Sequence, residues 1–283
     1  MNQPMTTRII YPPDNSNRKF FSVWFAMLTE LMARRDLIWQ LIYRDISVRY
    51  RQSVLGYIWA VVPQLVTVLI FSFLAKNRVF AMGQPPMPYI LYALWNISIW
   101  QLFAACLLNS TESLVKAGTL VTKNNFPKET LILSAIGQPV VDFIIRLVPC
   151  AVVVLIMGFK ISYGIVFVPI ILLMMIFLAL GIGFVLSIAN LVIRDISNAL
   201  SVLLMFGVFL APILYPPPVR EPYYLVNILN PFSPLLIATQ DLIVSGVVSN
   251  LPLVLLYSAG SFFVFLSGWY VFHISLKRVI EKA

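Results

Sequence analysis

The stretch RDISVRYRQSVLGYIWAVVPQL, residues 44–65, passes from clustered charge into an apolar run within a few positions. Its opening charges are Arg44, Asp45, Arg49 and Arg51. The apolar run covers residues 54–75, and a helix of about 22 residues is about 33 Å long, enough for a hydrocarbon core of about 30 Å. The stretch therefore predicts a membrane-spanning helix that begins directly beside charges at headgroup depth.

Composition extends this interpretation to the whole chain. Hydrophobic residues make up 60% of the 283 residues and charged residues 11%, whereas a soluble domain carries about 25% charged residues. The mean hydropathy is +0.90. The net charge of +9 comes from basic residues between long apolar runs, where they act as topology signals and contacts to anionic lipid rather than to nucleic acid.

Six apolar segments predict an all-α integral membrane protein with six transmembrane helices: 54–75, 88–109, 131–157, 161–189, 199–215 and 251–273. Basic residues concentrate before the first segment, after the second and the fourth, and at the end of the chain. The positive-inside rule therefore predicts that both termini are cytoplasmic.

The remaining segments complete the predicted organisation. Residues 1–17, rich in proline and asparagine, predict a flexible cytoplasmic tail. Residues 18–43 mix apolar and charged residues at helical spacing and predict an amphipathic helix in the membrane interface, before a transmembrane domain over 44–283. The proline-rich residues 215–234 predict a broken, partly re-entrant hairpin on the outer side, between spans five and six.

Enzymatic chemistry has little support in the sequence. It contains no zinc-binding HExxH motif, no GxSxG nucleophile motif and no GxxxxGK[ST] phosphate-binding loop. We therefore expect no catalytic residues, no metal site and no cofactor bound by this chain. ATP and Mg²⁺, if used, belong to a partner subunit.

Two polar stretches are candidates for function. In the third predicted span, spacing of four places Gln138, Asp142 and Arg146 on one helical face. A charge at the bilayer centre costs about 3 kcal/mol, so this face lines a polar conduit or forms a structural ion pair.

The cytoplasmic loop 110–130 can form a short amphipathic helix over 112–120. It either receives force from a cytoplasmic motor or is a plain connector.

Four stretches resemble one known family. The opening stretch is similar to R-D-x-x-x-R-Y-x-x-S-x-L-G-x-x-W-x-x-x-P, and VTKNNFPKE, residues 121–129, is similar to T-K-x-x-F-P-R-E, with Lys128 where arginine is usual. FLAPILYPPP (209–218) and LNPFSPLLIATQDLI (229–243) resemble the family's outer gate region. The family comprises permease subunits of type-two ABC exporters for lipid-linked polysaccharides such as O-antigen and teichoic acid.

The resemblance implies a homodimer joined to two ATPase subunits in a bacterial cytoplasmic membrane. It implies coupling to the ATPase through Glu112, Lys116, Lys123, Phe126, Pro127 and Lys128. It implies an outer gate at Tyr215, Pro216, Pro217, Tyr223, Tyr224, Asn230 and Pro231. The expected cargo is a polysaccharide, foremost O-antigen, on undecaprenyl diphosphate.

A diphosphate needs cations at headgroup depth, and the planar guanidinium of arginine meets phosphate oxygens two at a time. We therefore predict a lateral gate for the lipid diphosphate at Arg44, Asp45, Arg49, Tyr50, Arg51 and Trp59. Interfacial anchoring and subunit packing are the alternative role of these residues. Capsular polysaccharide or teichoic acid export, an ion-coupled flippase using Asp142 and Arg146, and a polyprenyl-phosphate transferase stay open as alternative functions.

Overall fold

A computed structural model describes residues 20–51, 56–77, 85–118, 127–217 and 223–280, with the side chains of 20–26, 49–51, 223, 226 and 277–280 outside the description. The described residues form helices and contain no strand, which confirms the all-α class. The helices are α1 Phe20–Ala33, α2 Arg35–Arg51, α3 Val62–Lys76, α4 Tyr89–Ala117, α5 Glu129–Ser134, α6 Gly137–Met157, α7 Val168–Val192, α8 Asp195–Gly207, α9 Tyr223–Leu229, α10 Phe232–Val244 and α11 Leu251–Ile280.

Four helical segments among the described residues are long and apolar enough to cross a bilayer. They are Tyr89–Ala117, Glu129–Met157, Tyr163–Val192 and Leu251–Leu276, and they correspond to the predicted spans two, three, four and six. The other two predicted spans are represented by α3, with 15 residues, and α8, with 13. The chain is thus a multi-pass membrane protein, and six complete crossings stay a prediction.

Prolines explain why α3 and α8 are shorter than predicted. A 3₁₀ turn, Gly56–Ala60, precedes α3, and Pro63 lies in the first turn of that helix, where its missing N–H costs no hydrogen bond. The prediction of one continuous helix over 54–75 was therefore wrong for the described part. The fifth segment is helical only to Gly207, because Pro212 cannot continue an α-helix.

The predicted helix over 18–43 has different bounds in the structure, and its position in the membrane interface stays a prediction. The chain forms two helices that separate at Arg34, and α2 continues to Arg51. The arginines at positions 44, 49 and 51 therefore belong to the C-terminal half of α2. Cations are favourable at a helix C-terminus, where the backbone carbonyls point outward.

Helix α4 lies at the centre of the bundle and contacts α3, α6, α7, α8 and α10. Small residues allow close approach of its neighbours. A Cβ atom at Gly268 of α11 would overlap the backbone of Gly181 in α7, and one at Gly183 would meet Ser110 of α4. By contrast, α6 turns one apolar face outward, formed by Ile144, Val148, Val152, Leu155 and Ile156, as expected of a helix in contact with lipid.

Candidate functional site

A polar cleft of about 430 Å³ lies at the end of the bundle that the basic residues predict to be cytoplasmic. Its walls come from α2, the C-terminal half of α4, α5 and the start of α6. The lining residues are Arg44, Asp45, Val48, Asn109, Ser113, Lys116, Ala117, Leu131, Ser134, Ala135 and Gln138. The cleft brings together residues from the predicted lateral gate, coupling and intramembrane groups, although the sequence separates them widely.

Both cations of the cleft are paired at its rim. The Arg44 guanidinium donates from Nε at 2.8 Å to Asp45 Oδ1, and Nη2 lies 2.7 Å from the same oxygen. Lys116 Nζ lies 2.6 Å from Glu112 Oε2, one helical turn earlier. All four side chains are partly exposed. Such pairs contribute little to stability, so either cation can exchange its carboxylate for an anionic ligand.

One other predicted lateral-gate residue, Trp59, does not join this cleft. Trp59 lies in the 3₁₀ turn before α3, is exposed, and does not line the cleft. The side chains of Arg49, Tyr50 and Arg51 lie outside the described part of the chain, so only their backbone position in α2 is known.

The predicted coupling loop differs from the expected separate helix over 112–120. Helix α4 runs on through Glu112 and Lys116 to Ala117 and ends at Gly118 with φ +49°, a left-handed conformation that glycine adopts without strain. Residues 112–117 are helical as predicted, but they continue α4 without a break and do not form a separate helix. Lys123 and Phe126 lie outside the described residues.

The Pro127 carbonyl accepts a hydrogen bond from the Thr130 hydroxyl at 2.7 Å. Lys128 is buried next to Glu129. Burial lowers the pKa of the Lys128 ammonium, and the Glu129 carboxylate acts in the opposite direction. Glu129 Oε1 also lies 2.8 Å from Nδ1 of His273 in α11. The sequence pattern missed this contact between α5 and the last helix, because 144 positions separate the two residues.

The predicted polar face of α6 points inward. Asp142 and Arg146 are buried, and Gln138 lies at the cleft. Arg146 Nε donates to the Ala60 carbonyl at 3.0 Å. This bond connects α6 to the 3₁₀ turn that precedes α3, so the arginine has at least a structural role.

At the opposite end of α4, side chains of its first two turns bind an irregular segment, residues 208–217, called here the outer segment. The Tyr92 hydroxyl lies 2.8 Å from both the Pro212 and the Tyr215 carbonyl oxygens and shares one proton between them. The Tyr89 hydroxyl donates to Leu214 O at 2.9 Å, and Asn96 Nδ2 donates to Ile213 O at 3.1 Å. These hydrogen bonds satisfy backbone carbonyl groups of the outer segment, which would otherwise lack a partner because the segment is not helical.

A second layer of buried amides supports this contact. Gln240 of α10 donates to Asn96 Oδ1 at 3.0 Å, and Gln64 of α3 donates to Ser98 Oγ at 2.9 Å. Sequence reasoning missed Gln64, Asn96 and Gln240. The available signal was the amide itself, because a polar side chain inside a long apolar run needs a partner.

Two of the predicted outer-gate residues, Tyr215 and Asn230, form hydrogen bonds with the same segment. The Tyr215 hydroxyl donates to Phe209 O at 2.8 Å. Asn230 donates to Leu210 O at 3.1 Å and accepts from the Phe232 amide at 3.1 Å, which places Pro231 immediately before α10. Pro216 and Pro217 are half-buried, Tyr224 is exposed, and the Tyr223 side chain lies outside the description. Two short helices, α9 and α10, thus follow the outer segment, and a re-entrant path for them stays a prediction.

Long apolar helices with a charged cleft at one end and a buried irregular segment at the other define a membrane-embedded subunit of the transporter class. Residues 36–244 match the family model described as ABC-2 type transporter. The chain belongs to this family, and the predicted resemblance to permease subunits of type-two ABC exporters is confirmed.

Three relatives have the name O-antigen export system permease protein RfbA. One from Klebsiella pneumoniae is 26% identical over 227 residues, which is 80% of this chain and 86% of the relative. A second from Klebsiella pneumoniae is 25% identical over 248 residues, 87% of this chain and 94% of the relative. One from Myxococcus xanthus is 25% identical over 194 residues, 67% of this chain and 72% of the relative.

Proposed function

We propose that this chain is the channel-forming subunit of an ATP-driven exporter that moves polysaccharide linked to undecaprenyl diphosphate across the bacterial inner membrane. The names of the relatives favour O-antigen over capsular polysaccharide or teichoic acid as the cargo. Membership of the ABC-2 family disfavours the ion-coupled flippase and the transferase. The observation on which the proposal rests most is the polar cleft that joins Arg44, Lys116 and Gln138.

The cleft has the chemistry for a lipid diphosphate with its first sugars. Arg44 exchanges Asp45 for phosphate oxygens, because a guanidinium binds two oxygens in one plane. Lys116 adds a second cation from α4, and the polar residues Ser113, Ser134 and Gln138 also line this space. The exposed Trp59 and the nearby Arg49, Tyr50 and Arg51 would gather the lipid before it reaches the cleft.

A second copy of the chain is part of the proposal. Helix α3 exposes Leu65, Val66, Leu69, Ile70 and Phe73, and α8 exposes Val202, Leu203, Met205 and Phe206. At 1.5 Å per residue these helices are about 23 Å and about 20 Å long, short of the bilayer core. The exposed apolar faces of α3 and α8 suit a dimer. In such a dimer each copy packs against the short helices of the other copy.

The partner ATPase, which holds ATP and Mg²⁺, is expected at the cytoplasmic end of α4. Glu112 and Lys116 lie on the last turns of that helix. Lys123, Phe126, Pro127 and Lys128 follow in the connection to α5. A push at the end of α4 is transmitted along the helix, because α4 continues without a break to Ala117. Cargo then leaves on the outer side, past the outer segment.

The first test is a pull-down of the tagged protein from native membranes in mild detergent, with the partners identified by mass spectrometry. A P-loop ATPase at an equal molar ratio is the expected result. Recovery of the protein without such an ATPase, in more than one detergent, would contradict the ATP-driven mechanism.

The second test compares two arginines of α2. Arg44→Gln should abolish surface polysaccharide while the complex with the ATPase still assembles. The control is Arg35→Gln, because Arg35 also neighbours an acid, Asp36, at 3.9 Å, but is highly exposed and lies outside the cleft. Normal surface polysaccharide in Arg44→Gln would contradict the proposed role of the cleft in export.

A further inference from the structure

The outer segment is buried although its backbone is irregular. The Ala211 and Ile213 side chains are fully buried and Leu214 is almost so, while α8 has already ended at Gly207. Irregular backbone at membrane depth is tolerated only when protein or a water-filled cavity satisfies its polar groups. Helix α4 supplies the side-chain donors for the carbonyls from Pro212 to Tyr215, while Asn230 donates to Leu210 O. The position of residues 212–215 therefore depends on the position of α4.

The donors lie on one face of α4. Tyr89, Tyr92 and Asn96 are three and four positions apart, which is the spacing that aligns side chains along a helix. Together they contact four carbonyl groups between Pro212 and Tyr215. Gln240 binds the free oxygen of Asn96 and fixes the amide in the orientation that donates to Ile213.

The same helix reaches the cleft at its other end. Helix α4 has 29 residues without an internal proline or glycine, so it is about 43 Å long. Asn109, Ser113 and Lys116 on its last turns line the cleft. A displacement of α4 that accompanies ligand binding or force at the cleft therefore also moves the donors at the outer segment.

The chemistry of the contact suits repeated opening. All its groups are neutral hydroxyls, amides and carbonyls, and each such hydrogen bond is weak in net terms. A buried charged pair in the same place would leave an unpaired charge each time it separated. Weak neutral bonds to backbone can separate and form again without that cost.

We propose that Tyr89, Tyr92 and Asn96 form a latch, which holds the outer segment closed against α4 and opens when α4 moves. The release step of this proposal rests on the proposed function, because it assumes that cargo passes the outer segment. The closed latch itself is independent of the identity of the cargo.

The experiment measures access to the outer segment in the complex reconstituted in phospholipid vesicles. Ala211→Cys introduces a thiol of similar size at a fully buried position, and a membrane-impermeant maleimide reports its exposure. Cys106 and Cys150 are both buried, and the protein without the Ala211→Cys change gives their background. Labelling is measured first without nucleotide and then with ATP.

In the Ala211→Cys protein, labelling should be slow without nucleotide and faster with ATP. Adding Tyr92→Phe keeps the ring and removes the hydroxyl shared by Pro212 and Tyr215. We expect labelling without nucleotide to rise about 10-fold, the order of effect of losing one or two hydrogen bonds, and ATP to add little. The control is Tyr163→Phe, because Tyr163 is 96% exposed and should leave the rate unchanged.

Unchanged labelling in folded Tyr92→Phe, or an equal rise in Tyr163→Phe, would overturn the latch. If Tyr92→Phe does not fold, Tyr89→Phe removes the single bond to Leu214 and should give a smaller rise of the same kind. Fast labelling in Tyr92→Phe combined with no effect of ATP on the parent would overturn the release step alone. Absence of an ATPase from the pull-down would instead contradict the proposed function and leave the nucleotide-free latch result standing.

Discussion

The two ends of α4 differ in how their polar side chains are paired and how far they are exposed. At the cleft, charged side chains pair with close neighbours in sequence and stay partly exposed. At the latch, neutral side chains bind backbone carbonyls more than 100 positions away and are buried or half-buried. The difference indicates that the cleft can exchange partners for a ligand, whereas the latch determines the position of one specific segment.

The strongest test of this comparison places the same substitution at both ends of one helix. Asn96→Leu leaves the Ile213 carbonyl and the Gln240 amide without their partner, and unsatisfied buried groups cost about 1–3 kcal/mol each. We expect Asn96→Leu to lower the unfolding midpoint by about 5 °C or more, measured by tryptophan fluorescence in detergent.

Asn109→Leu is the matched control. Asn109 lies on α4, lines the open cleft and is only partly buried, so we expect a change in stability within about 0.5 kcal/mol. Equal shifts of the midpoint in the two variants would show that the two ends of α4 do not differ in the way proposed.

The next effect concerns Arg146. Like the latch residues and unlike the charges of the cleft, it is buried and binds a backbone carbonyl that is distant in sequence. Arg146→Leu removes the bond from Nε to Ala60 O, and hydrogen bonds to charged groups contribute about 1.5–3 kcal/mol. We expect a corresponding loss of stability in the same unfolding assay. Val148→Leu, on the lipid-facing side of α6, should have no effect. A stabilised Arg146→Leu protein would indicate that desolvation of the guanidinium outweighs its bonds.

A smaller effect is expected at Lys116, where binding rather than stability should respond. Lys116 Nζ is exposed and paired only with Glu112 among the contacts described. Lys116→Gln should weaken binding of vesicles that contain a polyprenyl diphosphate about 5-fold, and added salt should reduce the difference. Unaltered binding at low salt would exclude Lys116 from the site. Arg35→Gln serves as the control, as it changes the net charge equally.

The smallest effect is predicted for Glu112→Gln. The pair with Lys116 is one helical turn apart and partly exposed, so its loss should change stability by about 0.3 kcal/mol. Because Lys116 loses a competing carboxylate, binding of the same diphosphate vesicles should increase slightly. A large loss of stability would mean that the cleft, like the latch, has a mainly structural role.

Sequence patterns predicted that the residues of the cleft are functional, but they did not predict that these residues lie close together. Arg44, Lys116 and Gln138 belong to three separate motifs, and only the packing of α2, α4 and α6 brings them to one space. The latch was harder to predict, since its acceptors are backbone carbonyls, which have no residue signature. Tyr89 and Tyr92 lie at the start of an apolar helix, where tyrosines of the membrane interface are common, and this position is equally compatible with their bonds to the outer segment.

The sequence by itself determined the class of the protein, the four long spans and the family, because hydrophobic run length, basic residues and short motifs are local properties. It also indicated where helices break, since proline acts within its own turn. Only the tertiary structure decided that α4 connects the cleft to the outer segment and that Asn96 binds both Ile213 and Gln240. Such contacts join residues more than 100 positions apart, and their geometry depends on how the helices pack, which no local pattern specifies.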